Sequence, residues 1–191
     1  MHHLPPHATD LSELRAAAFA LLAEGVVNRR AAAHSPTLAT VGLDGAPRLR
    51  TLVLRGFDPQ RRELRLHSDA RSAKLAELAR EPRAELHVYD APARIQIRLR
   101  GTASLHRDDA VAEAAWAATP GFSRAIYGAD PAPGLPIPEP LPAPEAGDRA
   151  NFAVLLLRFE ALEWLFLAAG GHRRARITWS GGEEAATWLA P

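Results

Sequence analysis

Apolar and polar residues alternate with a period near two along much of this chain, and give way to a helical period in three places. The first helical stretch places Leu11, Leu14, Ala18, Leu21 and Leu22 on one face. Asp10 and Glu13 stand at capping-box spacing before it, and Glu24-Gly25 marks its end. Residues 37–43 then read as a strand, Asp44-Gly45 as a hairpin turn, and residues 47–57 as one long return strand. Asp58-Pro59-Gln60-Arg61 turns the chain into a strand over 63–67, so the pattern predicts a three-stranded antiparallel meander. Ser68 or Asp69 is expected to cap a second helix running to about Arg80, with Leu75 and Leu78 inward and Pro82 ending it.

The pattern continues with a strand over 83–89 and another over 94–106. In the latter, Ile95, Ile97 and Leu99 alternate with Arg94, Gln96, Arg98 and Arg100. Residues 108–118 predict a third helix containing Trp116, and residues 122–127 a further turn or two. Half of the 16 prolines fall between Pro120 and Pro144. Residues 129–148 are therefore expected to be an extended loop, too close to the end of the chain to separate two domains. Residues 152–168 form a very apolar strand or strand pair, followed by strands over 173–179 and 185–189 with glycine turns between them. Seven or eight antiparallel strands with three helices predict a mainly β fold with peripheral helices, closing most easily as a small barrel. Residues 1–191 read as one domain, with residues 1–9 a flexible tail.

Composition narrows the function classes. The chain has no cysteine, which removes disulfides, thiolate metal sites and cysteine nucleophiles. A formal net charge of +1 predicts no nucleic-acid partner. No apolar run is long enough to span a bilayer and the N-terminus has no apolar signal region, so a cytoplasmic protein is expected. There is no glycine-rich dinucleotide fingerprint, P-loop, zinc-type histidine spacing or nucleophile elbow. His2, His3 and His7 fit a tail better than a metal site.

One stretch stands out chemically. Residues 50–74 run Arg50-Thr51-Leu52-Val53-Leu54-Arg55, then Leu66-His67-Ser68-Asp69-Ala70-Arg71-Ser72-Ala73-Lys74. Lys74 is the only lysine; the other 22 basic residues are arginine. It falls just inside a helix start, where free N–H groups and the helix dipole favour anions. Read alone, Arg50 and Arg55 are equally consistent with solvent-facing strand positions. They also have opposite parity, so a bulge or a wrapped edge is needed to bring both to one ligand.

Taken together with Gln96, Trp164 and the cluster His172-Arg173-Arg174-Ala175-Arg176, this stretch resembles the pyridoxamine 5'-phosphate oxidase-like FMN-binding split barrels, from about residue 35 to the end. The resemblance is to a branch of flavin proteins more than to the oxidase itself. It implies an antiparallel split β-barrel, FMN as cofactor, and a homodimer with the cofactor at the subunit interface. Arg50, Ser72 and Lys74 would hold the phosphate. The backbone around Thr51, Leu52, Val53 and Leu54, and that of His67 and Ser68, would line the flavin ring. Gln96 would bond the ring, and Trp164 and Arg176 would complete the site across the interface.

The resemblance also marks departures. Ala73 replaces a phosphate-holding arginine, for which Arg71 is the candidate substitute. Arg55 stands at the substrate-phosphate lysine, His172 and Arg174 at positions that hold and react with the pyridoxal substrate, and Ser123 at a substrate serine. Thr119 replaces another substrate arginine. Trp116, Tyr127 and the proline-rich loop are further candidates for the substrate side. The expected function is a flavin-dependent oxidoreductase acting on an unidentified small molecule. The alternatives are a non-catalytic flavin- or haem-binding carrier or sensor, and a cofactor-free barrel that binds an anionic partner.

Overall fold

The computed structural model describes residues 5–191. A 3-10 turn, Pro6–Thr9, comes first, and its Ala8 is fully buried in the core. The expected tail therefore does not extend to residue 9, and its first four residues, with His2 and His3, lie outside the described residues. Helix α1 is Leu11–Val27, two residues longer than its pattern predicts. The Asp10 carboxylate accepts from the Ser12 and Glu13 amides at 2.7 and 3.0 Å. Leu14, Ala18 and Leu22 are its buried stripe.

Strands β1 (Thr37–Val41) and β2 (Pro47–Thr51) form the predicted hairpin, with Gly45 at φ 82° in its turn. The expected long return strand is interrupted. Leu52 donates its amide to the Pro36 carbonyl at 3.0 Å, and pairing resumes only in β3 (Leu54–Asp58), against β4 (Glu63–Asp69). With β5 (Arg83–Asp90), β6 (Ile95–His106) and β7 (Phe152–Phe166), the sheet order is β2-β1-β5-β6-β7-β4-β3, so β2 and β3, consecutive in sequence, stand at opposite ends. The predicted meander does not form. Twist accumulated across the sheet brings its ends round, and the chain crosses the opening at Leu52–Val53 without a ladder to close it.

Helix α2 is Ala73–Arg80 with Ser72 at the N-cap, later than the predicted start. The residues before it make an Asx-type turn instead: the Arg71 amide donates to Asp69 Oδ1 at 2.8 Å, and the Ser72 amide to the Asp69 carbonyl at 3.2 Å. Strands β5 (Arg83–Asp90) and β6 (Ile95–His106) follow, with Ile95, Ile97 and Leu99 buried as the alternation requires. Helix α3 (Ala110–Ala118) is capped by Asp109, whose carboxylate accepts from the Ala112 amide. The short helix α4 (Gly121–Arg124) and a 3-10 turn (Ala125–Gly128) lead into residues 129–148, which hold no helix or strand.

Strand β7 (Phe152–Phe166) is a single strand paired with β4, β6 and β8 (Arg173–Ser180), and β9 (Glu183–Leu189) is the edge beyond β8. β7 is apolar in its first half because both faces are covered there, with Leu155 and Leu157 in the main core and Phe152 and Val154 in a second cluster with α3. A register shift places Arg100 opposite Ala161 and Gly101 opposite Phe159, so Glu160 is the extra residue of a bulge. A Cβ on Gly101 would lie 2.1 Å from the Arg158 carbonyl oxygen, so only glycine fits this crossing.

The described residues form nine strands, more than predicted, and the split of residues 47–57 adds one. The core includes Leu38, Leu54, Leu66, Leu86, Leu157 and Trp164, with a second cluster of Ala112, Ala115, Tyr127, Phe152 and Val154 where α3 lies on β7. Among the described residues no helix is long and apolar enough to cross a membrane, and no cluster of three metal-ligating side chains occurs.

Candidate functional site

The opening between β2 and β3, the C-terminal end of β4 and the start of α2 meet at one place. Lys74, the second residue of α2, donates to Ser68 Oγ at 3.0 Å and to Ser72 Oγ at 2.8 Å. The two hydroxyls lie 3.0 Å apart, and Ser72 Oγ also donates to the Asp69 carbonyl at 2.6 Å. Both serines are buried. No carboxylate lies within ion-pair distance of Lys74 among the described residues. Its pKa is lowered, first by burial and then by the Arg50 guanidinium, while Asp69 and Glu77 act the other way. An arriving anion would reverse the guanidinium's effect.

Arg50 approaches from β2. Its Nη2 donates to Glu77 Oε2 at 2.6 Å and its Nη1 to Thr40 Oγ1, and Thr40 Oγ1 donates to the same carboxylate oxygen at 2.6 Å. Glu77 is thus a buried acid held by a guanidinium and a hydroxyl. With two of its five N–H groups in these bonds, Arg50 retains donors for a second ligand. Neither Glu77 nor Thr40 stood out in the sequence. The available signal was an acid between Leu75 and Leu78 on the inward stripe of α2, where a carboxylate needs a partner.

Arg71, the candidate substitute for the charge missing at Ala73, is engaged by protein partners. Its fork grips Asp69 at 3.0 and 2.7 Å, and Nη2 also donates to the Ala129 carbonyl at 2.7 Å. It fastens the start of the proline-rich loop to the end of β4. Ala73 itself is exposed.

Beside this cradle the strand edges are open. β3 pairs with β4 only as far as Leu54↔Leu66, so the β3-side edge of His67–Asp69 is left uncovered where Val53 departs. The Leu52 amide is already taken by Pro36, and Thr51 is the last paired residue of β2. The ideal-strand parity of Arg50 and Arg55 does not apply here, because two irregularities separate them. The break at 52–53 is one. The other is a bulge at Arg55, since Leu54 pairs with Leu66 but Gly56 with Arg65.

Arg55 lies close enough to His67 and Tyr127 to act electrostatically on both. Burial, then Arg55 and Arg65, lowers the His67 pKa to about 4, so the ring is neutral near pH 7. Its buried Nε2 has no hydrogen-bond partner, and its ring meets Phe152 edge-on at 4.9 Å. Burial raises the Tyr127 pKa to about 12, and Tyr127 packs against Trp116 and Phe152. Arg55, His67, Tyr127 and Trp116 therefore form a second group, polar at Arg55 and aromatic behind it.

The remaining predicted residues lie on β6 to β8, and the single chain does not bring them to the Lys74 cradle. Gln96, half-buried on β6, stands opposite Leu165. Trp164 is 1% exposed, with its ring stacked on Phe166 at 6.2 Å. Arg176 donates to Glu163 Oε1 at 3.0 and 2.8 Å, and Arg174 to Glu163 Oε2 at 2.6 Å. These bonds hold the Glu163 carboxyl below its usual range against the opposing effect of burial. Glu163 too went unremarked in the sequence, although a charged residue in so apolar a run is its own signal. His172 is exposed in the turn before β8, its Nδ1 accepting from the Ala168 amide at 3.1 Å. Ser123 is half-buried in α4. Thr119 is buried, and its hydroxyl donates to the Ala115 carbonyl at 2.7 Å.

Residues 17–107 match the family described as pyridoxamine 5'-phosphate oxidase, FMN-binding domain. The pyridoxine/pyridoxamine 5'-phosphate oxidase 2 of Arabidopsis thaliana is 32% identical over 143 residues, covering 68% of this chain and 72% of that protein. The pyridoxine/pyridoxamine 5'-phosphate oxidase of Nitrobacter hamburgensis is 36% identical over 112 residues, covering 59% of this chain and only 51% of that protein. Among solved structures, a pyridoxamine 5'-phosphate oxidase-related, FMN binding protein from Nostoc punctiforme matches with a TM-score of 0.77 at 28% identity over 100% of both chains. PhzG from Burkholderia lata, solved with tetrahydrophenazine-1-carboxylic acid, matches with a TM-score of 0.73 over 100% of this chain and 99% of that one. At 19% identity the latter is a likeness of fold alone. The antiparallel split-barrel class implied by the resemblance is the class of these structures, with the sheet left open between β2 and β3.

Proposed function

Because this chain belongs to the pyridoxamine 5'-phosphate oxidase-like family of FMN-binding proteins, we propose that it binds FMN and serves as a flavin-dependent oxidoreductase on a small molecule. The observation that carries the reading is Lys74: a partly buried ammonium with no carboxylate at ion-pair distance among the described residues, held by two buried serine hydroxyls beside the Arg50 guanidinium. That donor set suits a phosphate monoester, which accepts charge-assisted bonds from both cations. In this reading Arg50, Ser68, Ser72 and Lys74 hold the phosphate. The open edges at Val53 and His67–Asp69 offer backbone groups to the polar side of the flavin ring, flanked by Thr51, Leu52 and Leu54. Gln96 and Arg176, with Trp164 packed behind them, would reach the cofactor bound by a partner subunit, which makes the working form a homodimer. Arg176 beside the ring would favour its anionic reduced form.

Bound FMN supplies two-electron redox chemistry; the chain supplies the surroundings. Arg55 at its bulge offers a fixed positive charge to an anionic substrate. His67 is held neutral at pH 7, so its Nε2 has one role at a time, as acceptor or donor according to tautomer. Phe152, Trp116 and Tyr127 keep water from that side. Arg174, His172 and Ser123 are assigned to the substrate side on the family's pattern. A cytoplasmic location fits this chemistry.

A non-catalytic flavin- or haem-binding role is favoured by one observation. Thr119, at a position the resemblance gives to a substrate arginine, is buried and bonded to its own helix. The absorption spectrum of the protein as purified, and after FMN is added, separates these readings. A flavin spectrum that NAD(P)H or a pyridoxamine-type substrate bleaches with turnover supports the oxidoreductase, whereas a flavin that only a chemical reductant bleaches supports the non-catalytic binder. A haem spectrum, or a protein that stays colourless with FMN, overturns the oxidoreductase.

A further inference from the structure

At the far end of β4 from Ser68, roughly 20 Å away along the strand, a second polar site lies where the β3–β4 turn meets the β8–β9 hairpin. A cleft of about 270 Å³ is lined there by Arg62, Thr102, Arg158, Phe159, Glu160, Trp179 and the turn Ser180-Gly181-Gly182. Four features of it are unusual together.

Arg62 has φ 53°, a left-handed backbone that favours glycine or asparagine and that costs a long side chain energy. The turn holds it there, and its carbonyl accepts from the Phe159 amide at 2.9 Å. Its guanidinium carbon lies 5.1 Å from the centre of the Trp179 ring, a cation–π contact. Its buried Nε nonetheless has no hydrogen-bond partner. Finally, half-buried Arg62 forms no ion pair among the described residues, whereas half-buried Arg50, Arg71, Arg98, Arg149, Arg174 and Arg176 each do, and Arg158, exposed at the rim of the cleft, is also unpaired there. The indole itself is fixed, since Trp179 Nε1 donates to Glu184 Oε2 at 2.8 Å and Glu184 pairs with Arg15 at 2.7 Å. Glu160, the bulge residue, is the one acid among the lining residues, beside two arginines.

A turn residue chosen only for its backbone would be glycine or asparagine here. An arginine kept in this conformation, braced on an indole and short of a partner, is arranged to bind something. We propose that this cleft is a second anion-binding site, taking the phosphate or carboxylate group of a small ligand between Arg62 and Arg158, with the β8–β9 glycine turn leaving it room. The site is separate from the Lys74 cradle and does not depend on the flavin reading.

The test follows the four indole N–H signals of the ¹⁵N-labelled full-length protein, with that of Trp179 assigned by a Trp179→Phe variant. Inorganic phosphate and acetate are titrated separately against chloride at matched ionic strength. The site predicts a saturable shift of the Trp179 signal that persists in Lys74→Ala. The stronger of the two anions identifies the preferred group. Arg62→Gly, which suits the observed φ, should weaken the binding at least about tenfold without lowering the thermal midpoint. A Trp179 signal that neither anion moves, or an affinity unchanged in Arg62→Gly, overturns the proposal.

Discussion

Arg50 and Glu77 form the most buried ion pair among the described residues, with Nη2 2.6 Å from Oε2 and side chains 20% and 5% exposed. The pair ties the end of β2 to the inward face of α2, which packs mainly on β1 and β6. The carboxylate therefore sets where the guanidinium proposed to hold the phosphate points.

Glu77→Ala should destabilise the protein by about 3 kcal/mol, because it strands the Arg50 guanidinium and the Thr40 hydroxyl in a largely dry site. Arg50→Met with Glu77→Leu should cost less than the sum of the single changes. Urea unfolding of the four proteins tests this. Additive losses would show that the pair is not a structural unit.

His67 makes stability depend on pH. Its folded pKa near 4 lies below the ordinary value of 6.5, because burial and two arginines disfavour the charged ring. Between those values the unfolded chain binds a proton that the folded chain does not, so stability falls as pH falls through this window and is restored above it. From pH 7 to pH 5 the wild type should lose about 2 kcal/mol more than His67→Gln, measured by urea titration. Equal losses would place His67 in a more solvated setting than the structure gives it.

Gly101→Ala tests the curl of the sheet. Its added methyl would meet the Arg158 carbonyl and the Phe159 Cα at 2.1 and 2.5 Å, both backbone atoms that cannot swing away. A loss of about 3 kcal/mol or more is expected in thermal or urea unfolding. A mild effect would mean that the β6–β7 bulge is plastic.

Much of the fold was legible because the period-two pattern of β5 and β6 and the helical stripe of α1 are set by burial on one face. The break at Leu52–Val53 was not. Residues 47–57 are uniformly compatible with a strand, and the interruption comes from Pro36 taking the Leu52 amide, a partner that is remote until the sheet is assembled. The start of α2 moved for a similar reason, since Asp69 closes a local turn that competes with helix initiation. At the site, the cations were readable and their counter-charges were not. Lys74, Arg50 and Arg176 stood out as motif residues, whereas Glu77 and Glu163, which fix the arginines, are single acids in apolar runs whose partners only the topology reveals.

The central claim is that Lys74 and its neighbours hold a phosphate. It is tested most directly by titrating apoprotein with FMN and with riboflavin, which lacks the phosphate, for wild type and Lys74→Ala. One charge-assisted ligand is worth about 1.5–3 kcal/mol. Wild type should therefore prefer FMN by at least about tenfold, and Lys74→Ala should lose most of that preference while binding riboflavin as before. Equal affinity of wild type for the two flavins, or a preference untouched by Lys74→Ala, would contradict the account.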